Sequence, residues 1–202
     1  MFDLREEQQK LIDFVSRYSK QSEVLIVGFS SKWPLDQKDY LKDTLKTFFS
    51  NWHAHEKKLE ADFFLFCDRF LVVVIDSGTL ASGCARDNFF NTMKKLVREQ
   101  KEQKLTLLNS NDIVIAKSPS VENAKSPSVE NAQRENGQAD CDFIVLQRYQ
   151  VEQFIRKQKS DDLKKINLMG LHLNSVKQIT DGELVQPFHK SWLAKFSEPI
   201  TT

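Results

Sequence analysis

Six consecutive apolar residues, Phe70-Leu71-Val72-Val73-Val74-Ile75, place the tightest constraint on how this chain can fold. The run is far shorter than the roughly 20 residues of a membrane span. Its β-branched content suits a strand buried inside a sheet. Asp76-Ser77-Gly78 ends it, and Ala81-Ser82-Gly83-Cys84 opens a helical pattern continued by Phe89, Phe90, Met93, Leu96 and Val97. The stretch therefore reads as strand, tight turn, helix, with a cysteine in the first helical turn.

The flanking segments extend the pattern. Leu4, Leu11, Ile12, Phe14, Val15 and Tyr18 mark an N-terminal helix, and Val24 to Phe29 a strand broken by Trp33-Pro34. Asp36 is placed to cap a helix whose inward face is Leu41, Leu45, Phe48, Phe49 and Trp52. Ala61 to Cys67 pairs with Phe70 to Ile75 as a hairpin turning at Asp68-Arg69. The helix after Cys84 is expected to run to about Gln103, with a strand at Ile113-Val114-Ile115. Beyond these, Phe143 to Leu146 reads as a strand and Tyr149 to Lys159 as a helix. Asp161 to Leu168 reads as a further helical turn or two, and Pro187 to Phe196 as a C-terminal helical segment. Gly170 to Gln186 fits neither period.

Strand, helix, strand, strand, helix, strand is the split β-α-β order. The expected fold is α+β and ferredoxin-like: an antiparallel sheet with helices packed on one face, plus N- and C-terminal helical additions. The domain reading is an N-terminal helix over 1–22, one α+β domain made of 23–116 and 140–202, and a flexible insertion over 117–139. In that insertion Lys117-Ser118-Pro119-Ser120-Val121-Glu122-Asn123-Ala124 is repeated without change as residues 125–132. Two octamers of this composition cannot bury a core and are too few and too short for a solenoid.

Charge is balanced, 29 basic against 28 acidic residues. That argues against a nucleic-acid or anionic-membrane binder, which would carry a basic excess. The aromatic Phe63, Phe64 and Phe66 resemble an RNA-stacking strand but lack interleaved basic residues and glycines. Three widely spaced cysteines, Cys67, Cys84 and Cys141, argue against a disulfide framework, and the N-terminus does not read as a signal peptide. A cytoplasmic protein follows. No ligand spacing implies a metal, and no cofactor is expected.

The polar candidates lie around the first helix turn after the buried strand. Cys84, His55 and Asp76 are the candidate catalytic residues; Ser82, Gly83, Arg69 and Trp52 are the candidate ligand contacts. Helix-end N–H groups favour a thiolate at Cys84, whereas Asp87 one turn on opposes it. The expectation is a buried, inert thiol. His55 is expected to serve the terminal carbonyls of the second helix. Trp33, Trp52 and Trp192 are expected to be packing residues.

Trp52-x-x-His55, Leu59-x-Ala61, Arg69-Phe70, Asp76 and Ala81-Ser82-Gly83-Cys84-x-x-Asp87 together resemble a family of small uncharacterised Bacteroidota proteins. Ser191-Trp192-x-x-x-Phe196 looks like the end of the same family. Its members often carry the label "ABC transporter ATPase". The resemblance supplies membership and no mechanism.

Two functional readings follow. The first is a non-enzymatic module that binds a protein partner or self-associates. The second is a binding protein for an anionic small molecule, or a thiol-dependent enzyme, sited at the Ser82–Cys84 helix start. A P-loop ATPase is not among them, because no Gly-x-x-x-x-Gly-Lys-Ser/Thr motif occurs. Isothermal calorimetry with Mg-ATP should accordingly give no saturable heat; micromolar, magnesium-dependent binding would refute this.

Overall fold

A computed structural model describes residues 4–100, 104–109, 111–117 and 142–197 of the chain. The fold combines helices with antiparallel sheets. Among the described residues no helix is long and apolar enough to cross a membrane. The chain divides into two compact units. One comprises Glu7–Ser110 with Gly170–Leu184; the other comprises Met1–Glu6, Asn111–Met169 and Val185–Thr202. The duplicated octamer lies outside the described residues, apart from Lys117 at a strand end.

The first unit is built on a three-stranded antiparallel sheet. β1 (Glu23–Gly28) and β4 (Ala61–Phe66) flank β5 (Phe70–Ile75) in the order β1-β5-β4. All six residues of β5 are fully buried, as its uninterrupted apolar run demands. Strand alternation sends Leu71, Val73 and Ile75 to one face. There they share a core with α2 (Lys38–Ser50) and α3 (Gly83–Glu99), through Leu41, Leu45, Phe49, Phe89 and Met93.

α2 and α3 thus share one face of the sheet, and the N-terminal helix expected as an addition, α1 (Leu4–Val15), packs on the other. The Phe14 ring lies 5.7 Å from Phe64, and the Tyr18 hydroxyl just beyond the helix donates to Asp62 at 3.0 Å. Phe64 and Asp62 alternate with Phe63, which packs on Phe49 of α2 at 5.9 Å. A sheet whose central strand is apolar on both sides needs cover on both.

Local chemistry explains several boundaries. Ser82 caps α3, its Oγ accepting from the Ala85 N–H at 3.2 Å. Asp36 does not cap α2: it sits in a 3-10 turn, Leu35–Gln37, that leads into the helix. The β4–β5 loop has three residues rather than two. Cys67 and Asp68 both take left-handed backbone, φ 55° and 56°. Lys38 pairs with the Asp68 carboxylate at 2.7 Å, and the Asp68 carbonyl accepts from the Trp33 N–H. These contacts hold a turn that lacks the glycine such φ values favour.

The outer edge of β1 is covered twice, by segments far apart in sequence. The Val24 N–H donates to the Asn174 carbonyl at 3.0 Å, and the Val176 N–H to the Ser22 carbonyl at 3.1 Å. At the other end the Leu108 N–H donates to the Gly28 carbonyl at 2.8 Å, and the Ser30 N–H to the Thr106 carbonyl at 2.9 Å. Leu108 comes so close that a Cβ on Gly28 would lie 2.7 Å from its Cδ1, so glycine suits that position. The stretch from Gly170, which matched neither period, thus serves as an edge cover ending in α6 (Val176–Thr180). Gly182, with φ 83°, turns the chain after it.

Ile113-Val114-Ile115, expected as the last strand of that sheet, belongs instead to the second unit as part of β6 (Asp112–Lys117). β6 lies between β7 (Asp142–Gln147) and β8 (Ile166–Met169), with β9 (Val185–Pro187) outermost. β8 corrects the helical reading of Asp161 to Leu168: α5 stops at Leu163 (Ser160–Leu163), and backbone pairing with β6 overrides local propensity. α4 (Val151–Arg156) and Phe188 and Leu193 of the C-terminal 3-10 turns close this unit's core. Trp192, expected in packing, is 41% exposed, while its neighbour Leu193 is buried.

Trp52 locks α2 to α3 in the first unit. It is buried, and its Nε1–H donates to the Ala85 carbonyl at 3.0 Å. Trp52→Phe should cost about 2 kcal/mol, combining a lost buried hydrogen bond with a small cavity. Urea unfolding followed by far-UV circular dichroism should show a lower midpoint at unchanged m.

Candidate functional site

The residues singled out by sequence at the start of α3 are mostly engaged in holding the fold. Arg69 is buried; its Nε donates to the Phe29 carbonyl at 2.9 Å and its Nη2 to the Ser30 carbonyl. It fastens the start of β5 to the end of β1. Trp52 bonds Ala85, and Ser82 caps the helix, as above. Asp76 makes a tight turn, its carboxylate accepting from the Ser77 N–H at 2.7 Å. His55 does not reach the end of α2. It occupies the exposed turn, φ 49°, of a small hairpin formed by β2 (His53–Ala54) and β3 (Lys57–Lys58). The last carbonyls of α2 are met by the Asn51 and Trp52 N–H groups and the Asn51 side chain.

Cys84 is exposed, correcting the expectation of a buried thiol. The inward face of α3 begins at Ala85, and one residue earlier on a helix lies about 100° away. Cys67 is the buried cysteine; Cys141 lies outside the described residues. Among the described residues no hydrogen bond or ion pair joins Cys84, His55 and Asp76. No group of three or more His, Cys, Asp or Glu side chains among them could hold a metal ion.

A carboxylate already faces the first turn of α3. Glu23 is 6% exposed. Its Oε2 accepts from the Ala81 N–H at 3.2 Å, and its Oε1 lies 2.8 Å from the Arg86 guanidinium. An incoming anion would meet that acid first, which weakens the helix end as an anion site. The second unit holds a groove of about 510 Å³ lined in part by Arg156, Lys164, His189, Leu163 and Phe188. Arg156 and Lys164 are matched there by Glu152 and Asp161 at 2.8 and 2.9 Å, leaving little net field for an anion.

The remaining feature is the outer edge of β4. The Asp76 N–H donates to the Glu60 carbonyl at 2.9 Å, which fixes the hydrogen-bonding phase of the hairpin. By alternation Asp62, Phe64 and Phe66 exchange backbone bonds with β5, whereas Ala61, Phe63 and Leu65 turn theirs outward. No other strand of the described residues pairs with this edge. Beside it runs a groove of about 360 Å³ bounded by Lys46, Phe49 and Ser50 of α2 and by Lys58, Ala61 and Phe63. The Phe63 N–H, central to the edge, donates to the carboxylate of Asp62 at 2.8 Å. The other oxygen of Asp62 accepts from Tyr18.

Family models, curated proteins and solved structures contain no match to this chain. The site therefore rests on geometry alone. Sequence reasoning passed over Asp62, although one acid inside Ala61-Asp62-Phe63-Phe64-Leu65-Phe66 is the usual mark of a guarded edge strand. It noted that the three phenylalanines resemble a stacking strand and set that aside because interleaved basic residues and glycines are lacking. In the fold Phe66 is buried, Phe63 packs on Phe49 and Phe64 on Phe14.

Burial pushes the Tyr18 phenol up to about 12, and the hydrogen bond to Asp62 and its charge push the same way. A raised phenol pKa gives stability that is complete below the ordinary value of 10.0 and is lost as pH rises from there through about 12. An ultraviolet titration should show a tyrosine that ionises near pH 12, and Asp62→Ala should bring Tyr18 back toward the ordinary value.

Proposed function

We propose that this chain is a non-enzymatic protein-binding module that takes up an extended segment along the outer edge of β4. One observation carries the reading. The sheet's two edges are treated differently: the outer edge of β1 is covered at both ends by the chain's own backbone, while the outer edge of β4, the side away from β5, has no strand partner among the described residues and runs beside a groove lined by α2. Strand addition supplies affinity through main-chain hydrogen bonds, and an adjoining groove selects side chains. That the candidate catalytic side chains do not meet supports a binding role over an enzymatic one.

The same geometry supports a ferredoxin-like assignment for the first unit. Its order β1-β5-β4, in sequence terms first-third-second, is that of the split β-α-β sheet, and the isolated bridge from Phe29 to Leu107 falls where a fourth strand would pair with β1. We also propose membership of the uncharacterised Bacteroidota family, since its motif residues Trp52, Arg69 and Ser82 hold this framework together. A cytoplasmic location is in keeping with the exposed thiol of Cys84.

A blocked Thr-Val-Thr-Val-Thr-Val hexapeptide tests the binding reading. Its titration should slow amide exchange at Ala61, Phe63 and Leu65 and leave Asp62 and Phe64 unchanged. Ala61→Pro, which removes an outward N–H at the first position of the strand, should weaken the binding. Absence of any effect at those amides at millimolar peptide would refute it.

A further inference from the structure

Resting on that reading of the β4 edge, we infer that its natural occupant is a second copy of this chain, and that Asp62 is the latch limiting the pairing. The outward residues Ala61, Phe63 and Leu65 are spaced symmetrically about Phe63. An antiparallel pairing about a two-fold axis at Phe63 sets Ala61 against Leu65 of the second copy and Phe63 against Phe63. Every outward N–H then meets an outward carbonyl. Such an interface is isologous and closes at two copies.

The side chains agree with this register. On the face shared with α2 the pairs are small against large and ring against ring, all apolar. On the opposite face Asp62 stands against Phe64 of the second copy, and Glu60 against Phe66. No carboxylate lies directly opposite another, the arrangement that destabilises cross-strand pairs most. Between the two copies, the half-buried Ala61, Phe63 and Leu65 would complete an apolar seam along the groove.

Asp62 opposes the seam in two ways. Its carboxylate already holds the Phe63 N–H that the central pair requires, and Tyr18 holds the carboxylate in place. On pairing, each copy must release that bond, and the two carboxylates come to lie diagonally across the seam, about 7–8 Å apart. The edge is thus complementary to itself and guarded by one residue, so that association is concentration-dependent.

Sedimentation equilibrium with residue-resolved amide exchange tests this. The wild-type chain should dimerise with rising concentration, and protection should grow at Ala61, Phe63 and Leu65. Asp62→Ala should tighten the dimer by about tenfold or more, since two competing bonds are removed. Asp62→Asn, which keeps the shape and removes the charge, should shift it in the same direction by less and guards against a misfolded alanine variant. Ala61→Pro should return either variant toward monomer. Monomers at millimolar concentration in both Asp62 variants, or dimers that leave the three amides unprotected, would overturn the inference. If the hexapeptide still protects those amides in that case, strand addition stands and only the second copy is lost. If it does not, both fail.

Discussion

Complete burial of β5 is the condition on which the first unit depends. Six consecutive apolar residues present both faces and both edges to their surroundings, and each must be satisfied. The edges are taken by β1 and β4 through backbone pairing. One face is covered by α2 and α3, the other receives α1, and the aromatic residues Phe14, Phe49, Phe63, Phe64 and Phe89 fill much of the space between. The polar groups drawn into this arrangement are held by fixed partners: Arg69 by carbonyls at the end of β1, Trp52 by Ala85, Glu23 by Ala81 and Arg86.

That pattern explains why a motif that looks chemical is architectural. A thiol at a helix start, an upstream tryptophan and histidine, and an acid at a strand end would suit an active site if they converged. Here the tryptophan and arginine point into the framework and the acid closes a turn. The histidine sits at the tip of an exposed hairpin, and among the described residues no hydrogen bond or ion pair joins it or the acid to the exposed thiol of Cys84. A helix start already facing the buried carboxylate of Glu23 has little left to offer an anionic ligand.

The asymmetry of the sheet is the more informative property. β1 recruits backbone from Thr106–Leu108 and from Asn174–Val176, two segments far apart in sequence, to satisfy one edge. β4 recruits no backbone among the described residues, and its central donor is met by the side chain of its own neighbour, Asp62. A side-chain acceptor is more easily displaced than a strand, because it gives up one bond rather than a ladder. A carboxylate on an edge strand is one of the devices by which folded proteins keep such edges from uncontrolled pairing.

The sequence by itself determined the elements whose cause is local. The buried run of β5, the amphipathic faces of α2 and α3, the Ser82 cap and the β4–β5 hairpin follow from periodicity and capping chemistry within a few residues. The tertiary structure alone decided whatever depends on pairing between distant segments. Ile113-Val114-Ile115 has the composition of a strand in any sheet, and only backbone pairing placed it between β7 and β8. The alternation in Ile166–Met169 is too short to overcome a helical reading until β6 lies beside it. The stretch from Gly170 has no period of its own because its task is to lend two backbone groups to β1. Cys84 and Asp62 illustrate the same division at the level of sites. One helical step decides whether a thiol is buried, and the position of a strand at the edge of its sheet decides whether its carboxylate is a guard, which strand order sets and local sequence does not.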